Sequence, residues 1–289
     1  MHFRQLTGEC SSAARRAPES AAAAYARRMA AVVAGADSNL AAALDAAPEP
    51  AEADWDAVQA TLAGDILHPR EVAEGDPEAL ETLHSSLARA DRAAESSPAA
   101  AALAEGSESA VADVLALSGV RAARGCLQGF GALCVLAAQT ELFSGRFSVS
   151  EIEEAASGAS AAGREAAAEA LFPSGPLRER ALAAVRAKAP SPDGLRNRLA
   201  LAAARWDRIG EALDAQLMHW PRMRAMLAAA GAPDSPAALG ITPVRAAAAV
   251  LAAPLLMPRY GVLDLAFETG RLERCASAVA SRWHQAAEG

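Results

Sequence analysis

The stretch Pro192–Leu217, PDGLRNRLALAAARWDRIGEALDAQL, decides how the rest of the chain is read. Leu195, Leu201, Trp206, Ile209, Leu213 and Leu217 recur at spacings compatible with one packed helical face. His219, Trp220 and Pro221 then interrupt or kink that helix.

Working outward, the same grammar repeats. From Pro221 a helix turns Met223, Met226 and Leu227 inward and stops at Gly231. Ser235 with Pro236, and Thr242 with Pro243, each reads as a cap followed by a first helical residue, opening two short helices. Pro254 and Pro258 bracket an extended loop that ends in Arg259, Tyr260, Gly261, Val262, Leu263 and Asp264, and a final helix runs to about His284. On the other side, Ser150 and Glu153 form a capping box before an alanine-rich segment to Leu171, which Pro173, Gly175 and Pro176 terminate. Ser107 with Glu108 opens a helix carrying Val111, Val114, Leu115 and Ser118, and Asp76 with Pro77 opens one carrying Leu80, Leu83 and Leu87. The least structured stretches are Gly35 to Asp54 and Glu95 to Gly106, either flexible or frayed helix. Alternating β-branched runs are almost absent and no apolar strand leads into a glycine-rich turn, which removes Rossmann and P-loop candidates. The expectation is an all-α, multi-helix bundle forming a single helical domain over residues 1–289.

Apolar residues make up 52% of the 289 but aromatics only 4%. Much of that fraction is alanine, which forms helices well and buries little area, so the helices should pack closely. A net charge of −8 with scattered acids gives no electrostatic footprint for nucleic acid. Residues Met1 to Glu9 lack a basic segment followed by an apolar core, and the apolar run Ala246 to Met257 is too short to span a bilayer. A soluble, cytoplasmic chain without membrane partners is expected. Cys10, Cys126, Cys134 and Cys275 contain no C-x-x-C pair, and Cys126 and Cys134 read as buried thiols.

From Trp206 to Asp264 the order Trp206, Ile209, Met226, Leu227, Gly231-Ala232-Pro233, Pro236, Leu239-Gly240-Ile241 and Arg259-Tyr260-Gly261-Val262-Leu263-Asp264 resembles the end of the helical domain of sn-glycerol-1-phosphate dehydrogenases. That domain is the C-terminal half of the iron-containing alcohol dehydrogenase and dehydroquinate synthase-like enzymes. Gly261 stands where the motif has threonine. Gly106, Ser107, Glu108, Ala110, Val111, Leu115, Leu117, Ser118 and Gly119 resemble the family helix ending in L-S-G. A weaker similarity covers His2, Leu6, Thr7, Gly8 and Glu9, which would place the start of the chain just after the family's aspartate metal ligand.

The resemblance implies a metal that polarises an alcohol oxygen and a nicotinamide that takes hydride. It also implies that both are lost here. The loop carrying one histidine ligand is missing after Arg124-Gly125, and Gln128 of Leu127-Gln128-Gly129-Phe130-Gly131 takes the position of another. A carboxamide is a weak neutral ligand. None of the five histidines forms an H-x-x-x-H pair, so no metal and no cofactor are expected. The remaining candidates for a small-molecule site are His84, Arg121, Arg124, Gln128, Arg259 and Tyr260. Arg121 and Arg124 offer planar donor forks for a phosphate or carboxylate, or simply end a helix; Arg259 and Tyr260 also suit a loop anchor. The functional expectation is a degenerate, metal-free relative that keeps a pocket for binding or non-redox chemistry. The alternatives are a protein-interaction subunit or homo-oligomer on the face left by the nucleotide-binding domain, or the helical half of a split dehydrogenase.

Overall fold

The computed structural model describes residues 19–46, 68–96 and 106–288. Among them are thirteen α-helices and no strand. In chain order they are α1 (Ala21–Ala43), α2 (Pro69–Glu74), α3 (Pro77–Ser96), α4 (Ser107–Leu117), α5 (Arg124–Leu142), α6 (Ile152–Gly158), α7 (Ala161–Leu171), α8 (Pro176–Lys188), α9 (Pro192–Gln216), α10 (Trp220–Ala229), α11 (Pro243–Leu256), α12 (Val262–Glu268) and α13 (Leu272–Glu288). Short 3-10 turns at Val149–Glu151 and Ala237–Leu239 precede α6 and α11. No helix among the described residues is long and apolar enough to cross a membrane.

Helix α5 is the axis. It is buried without a break from Gly125 to Gln139 and packs against α1, α4 and α13. Small residues allow this: a Cβ at Gly129 would sit 2.7 Å from the Ala26 Cβ of α1, and one at Gly131 only 2.3 Å from the Glu108 carbonyl of α4. Alanines on α1 and glycines on α5 bring backbones together where larger side chains would hold them apart. Aromatic side chains fill the ends of the bundle. Phe130 stacks on Trp283 at 5.5 Å, and Trp220 meets Trp283 edge-on at 5.0 Å. Trp206 of α9 contacts Phe143 at 4.7 Å and donates its indole N–H to the Gly145 carbonyl at 2.8 Å.

Helix α9 matches the stretch quoted first, with a small change of face. Leu199 and Ala202 are buried with Leu195, Trp206, Ile209 and Leu213, whereas Leu201 is half-buried because it lies two positions off that row. Asp76 caps α3, its Oδ1 accepting from the N–H groups of Glu78 and Ala79. Cys126, Cys134 and Cys275 are buried free thiols, and Cys10 lies outside the described residues.

Several boundaries differ from expectation. Gly35 to Ala43 is regular helix in α1, because Ala34, Gly35, Ala36 and Asp37 are buried and packing outweighs weak propensity. Leu44 to Ala46 form the turn after α1, Glu95 and Ser96 are the end of helix α3, residues 47–54 and 97–105 lie outside the described residues, and Gly106 is a buried N-cap. The capping box is Ser148 with Glu151, the Glu151 Oε2 accepting from the Ser148 N–H at 2.7 Å; Ser150 lies inside the 3-10 turn it opens. The alanine-rich segment to Leu171 is two helices, α7 restarting at Ser160, whose Oγ accepts from Gly163. Pro254 sits inside α11 rather than starting a loop, in the last turn before the helix ends at Leu256. Residues from Val262 are helix α12, not extended chain.

Candidate functional site

The six residues singled out by sequence do not share a cleft. His84 and Arg121 are exposed. Arg124 is exposed and pairs with Asp113 at 2.6 Å. Gln128 is buried, its Nε2 donating to the Ser109 Oγ at 2.9 Å. Arg259 is half-buried, and Tyr260 is buried with its hydroxyl donating to the Glu268 Oε2 at 2.8 Å. None of the six lines either of the two clefts described below.

The Arg259-to-Asp264 motif is instead one side of a closed structural hub. Arg164 of α7, 1% exposed, donates Nη1 to Asp264 at 2.9 Å and Nη2 to Glu268 at 2.9 Å. Lys188 of α8 reaches Asp264 at 2.6 Å and Arg198 of α9 reaches Glu268 at 2.8 Å. Burial alone would lower the Arg164 guanidinium, but the Asp264 and Glu268 carboxylates hold it above its ordinary value. The remaining Asp264 oxygen accepts the Gly261 N–H at 3.1 Å, closing the first turn of α12.

Next to this hub, Asp37 of α1 caps two helices at once. Its Oδ2 accepts the Ser107 N–H at 2.6 Å at the start of α4, and its Oδ1 accepts the Val262 N–H at 2.7 Å at the start of α12. The double cap explains Gly261, because a Cβ there would lie 2.5 Å from the Ser107 Oγ and 2.7 Å from the Asp37 Oδ2. Glu108, fully buried, faces the same point. Its Oε1 accepts from the Gly106 N–H at 2.9 Å and the Ser109 hydroxyl at 3.0 Å, while its Oε2 has no hydrogen-bond partner among the described residues. Burial, then the Asp37 charge, pushes Glu108 up to about 8, and burial pushes Asp37 up to about 6. These two acids share one buried site in which full ionisation of both is disfavoured.

The metal implied by the resemblance does not fit these donors. Both Asp37 oxygens are taken by backbone N–H groups, Gln128 offers only a carboxamide, and no group of three or more His, Cys, Asp or Glu side chains converges among the described residues.

A different arrangement lies on the opposite side of α1. A cleft of about 370 Å³ between α1, α2 and α3 is lined by Tyr25, Arg28, Val72, Leu83 and Ser86, with His68, Glu71, Asp76 and Glu78 at its mouth. Arg28 is 3% exposed. Its Nε donates to the Ser86 Oγ at 3.1 Å, and its Nη1 and Nη2 have no hydrogen-bond partner among the described residues. Burial and the nearby Arg89 lower the guanidinium to about 10, so it stays cationic at neutral pH. Burial raises the Tyr25 phenol, which stays neutral. His68, half-exposed, lies at the mouth 3.4 Å from Glu71.

Sequence reasoning missed Arg28. The available signal was a charged residue three positions after Tyr25 and four after Ala24, on the apolar face of an alanine-rich helix. A second cleft, about 130 Å³, is lined by Thr140, Asp214, Leu217, His219, Trp220 and Arg282 and is too small for more than a minor ligand. The exposed large apolar side chains among the described residues are Leu117, Val149 and Val244. Compared with known proteins, the chain matches no family model, no curated protein and no solved structure.

Proposed function

We propose that this chain is a small-molecule-binding protein, a metal-free and non-redox relative of the glycerol-1-phosphate dehydrogenase helical domains, whose working site is the Arg28 cleft and whose ligand is an anion. One observation carries the reading: a cationic guanidinium, 3% exposed, whose two terminal nitrogens have no partner among the described residues, in a cleft of about 370 Å³. An isolated buried charge costs several kcal/mol, and buried charges are normally paired. Here Ser86 fixes Nε, which leaves the two nitrogens that form the outer edge of the guanidinium for one oxyanion. The relationship to the dehydrogenases rests on the motif order from Trp206 to Asp264, and the loss of redox chemistry on Gln128 in place of a histidine ligand.

Thermal unfolding in increasing acetate, sulfate and inorganic phosphate tests the reading. Ligand that binds only the folded state raises the melting temperature by mass action, and Arg28→Met removes that rise. If no anion stabilises the wild-type chain, or the variant responds as strongly as the wild type, the Arg28 cleft is not an anion site.

A further inference from the structure

The mouth of the Arg28 cleft has the wrong sign for a ligand that carries only negative charge. Glu71, Asp76 and Glu78 line it, and all are exposed carboxylates. The floor supplies one positive charge, Arg28. Asp76 uses Oδ1 to cap α3, which holds it at the mouth, and Glu71 lies 3.4 Å from the His68 Nδ1. A phosphate dianion at Arg28 would gain one lining cation, with Arg89 nearby outside the lining, and face three carboxylates. A ligand bearing one carboxylate and one cationic group satisfies both ends.

The rest of the lining bears on size and shape. Val72, Ala79 and Leu83 give an apolar wall, and Thr82 and Ser86 add hydroxyl groups. The volume of about 370 Å³ lies near the lower end of ligand sites, roughly 300–1,000 Å³. A planar carboxylate matches the two terminal guanidinium nitrogens, which have no partner among the described residues, better than a tetrahedral group does, since two parallel N–H donors meet two coplanar oxygens.

We infer that the Arg28 cleft binds a zwitterionic amino acid or a close amino-carboxylate, its carboxylate on the Arg28 Nη1 and Nη2 and its ammonium toward Glu71 and Glu78. This inference rests on the anion-site reading above and adds the second half of the ligand. Asp76 is left to its capping role.

The test is calorimetric titration and thermal shift of the full chain with the twenty standard amino acids, acetate and inorganic phosphate. The amino acid that binds best is then compared with the same skeleton lacking its amine. Removing the amine should weaken binding about tenfold, the size expected from two partly exposed charge contacts. Arg28→Met should abolish binding. The double variant Glu71→Gln/Glu78→Gln, changed only at exposed positions, should weaken the amino acid by a similar factor while leaving acetate unchanged or tighter. If acetate or phosphate binds in an Arg28-dependent way and no amino acid binds better than acetate, the amino-carboxylate assignment is overturned and the anion site stands. If nothing binds, both fall. Equal binding with and without the amine also overturns the assignment.

Discussion

Two arginines of this protein are almost equally buried and live in opposite electrostatic circumstances. Arg164, 1% exposed, is held by Asp264 and Glu268, each of which also engages a second cation. Arg28, 3% exposed, has a serine hydroxyl on Nε and no partner on its terminal nitrogens among the described residues. The first arrangement answers both terminal nitrogens with carboxylates, only Nε having no hydrogen-bond partner among the described residues, and ties α7, α8 and α9 to α12. The second has, among the described residues, only the Ser86 hydroxyl. Burial of charge is therefore not one phenomenon here: the Arg164 hub joins four helices by ion pairs, and the Arg28 guanidinium faces the cleft proposed above as the site.

The sharpest break of this comparison is Arg164→Met, which takes one of two cations from each of Asp264 and Glu268 in the interior. It should destabilise the chain by about 3–5 kcal/mol in urea unfolding, the cost of removing one partner of a buried ion pair. A loss under about 1 kcal/mol would mean that Lys188 and Arg198 suffice and that the hub is not cooperative.

The acid pair beside the hub gives the comparison a pH axis. Glu108 rises from 4.5 to about 8 and Asp37 from 3.8 to about 6 on folding, so the folded state holds these protons more tightly than the unfolded chain. Their contribution is fully present below the unfolded values and is lost as pH rises through about 6 and then about 8. Urea midpoints should fall from about pH 5 to about pH 8 by the equivalent of a few kcal/mol, and Glu108→Gln should remove most of the fall. Arg28→Met should leave that slope untouched, because the Arg28 guanidinium titrates near 10.

A smaller effect is expected at Gly261. Alanine there places a Cβ 2.5 Å from the Ser107 Oγ and 2.7 Å from the Asp37 Oδ2, and should cost about 1–3 kcal/mol through the disturbed double cap. An unchanged midpoint would show that Asp37 gives way freely. The smallest change carries the opposite sign. Arg28→Met removes a buried charge whose terminal nitrogens have no partner among the described residues, so stability should be unchanged or higher by up to about 2 kcal/mol while anion binding disappears. Clear destabilisation of the unliganded chain by this variant would place Arg28 with Arg164 among the structural arginines.

Much of the fold was legible locally. Asp76-Pro77, Thr242-Pro243 and His219-Trp220-Pro221 mark helix starts because a cap and a first-position proline act over one turn. What misled was also local. Gly35 and Pro254 read as breakers, yet both lie in helices, one because its neighbours are buried and the other in the last turn before its helix ends. The polar candidates fared worse. Tyr260 and Gln128 have the right chemistry for a ligand site, but their partners, Glu268 and Ser109, are inside the protein.

By itself the sequence determined an all-helical chain and the positions of most helix starts, since alanine content, apolar spacing and capping residues act within a few positions of one another. Only the tertiary structure decided which charges are answered. Arg28 meets Ser86 across 58 residues, Arg164 meets Glu268 across 104, and Asp37 reaches Val262 across 225. Whether a buried arginine is a strut or a site depends on those distant partners. Sequence spacing carries no record of them, because pairing is fixed by where packed helices bring side chains together.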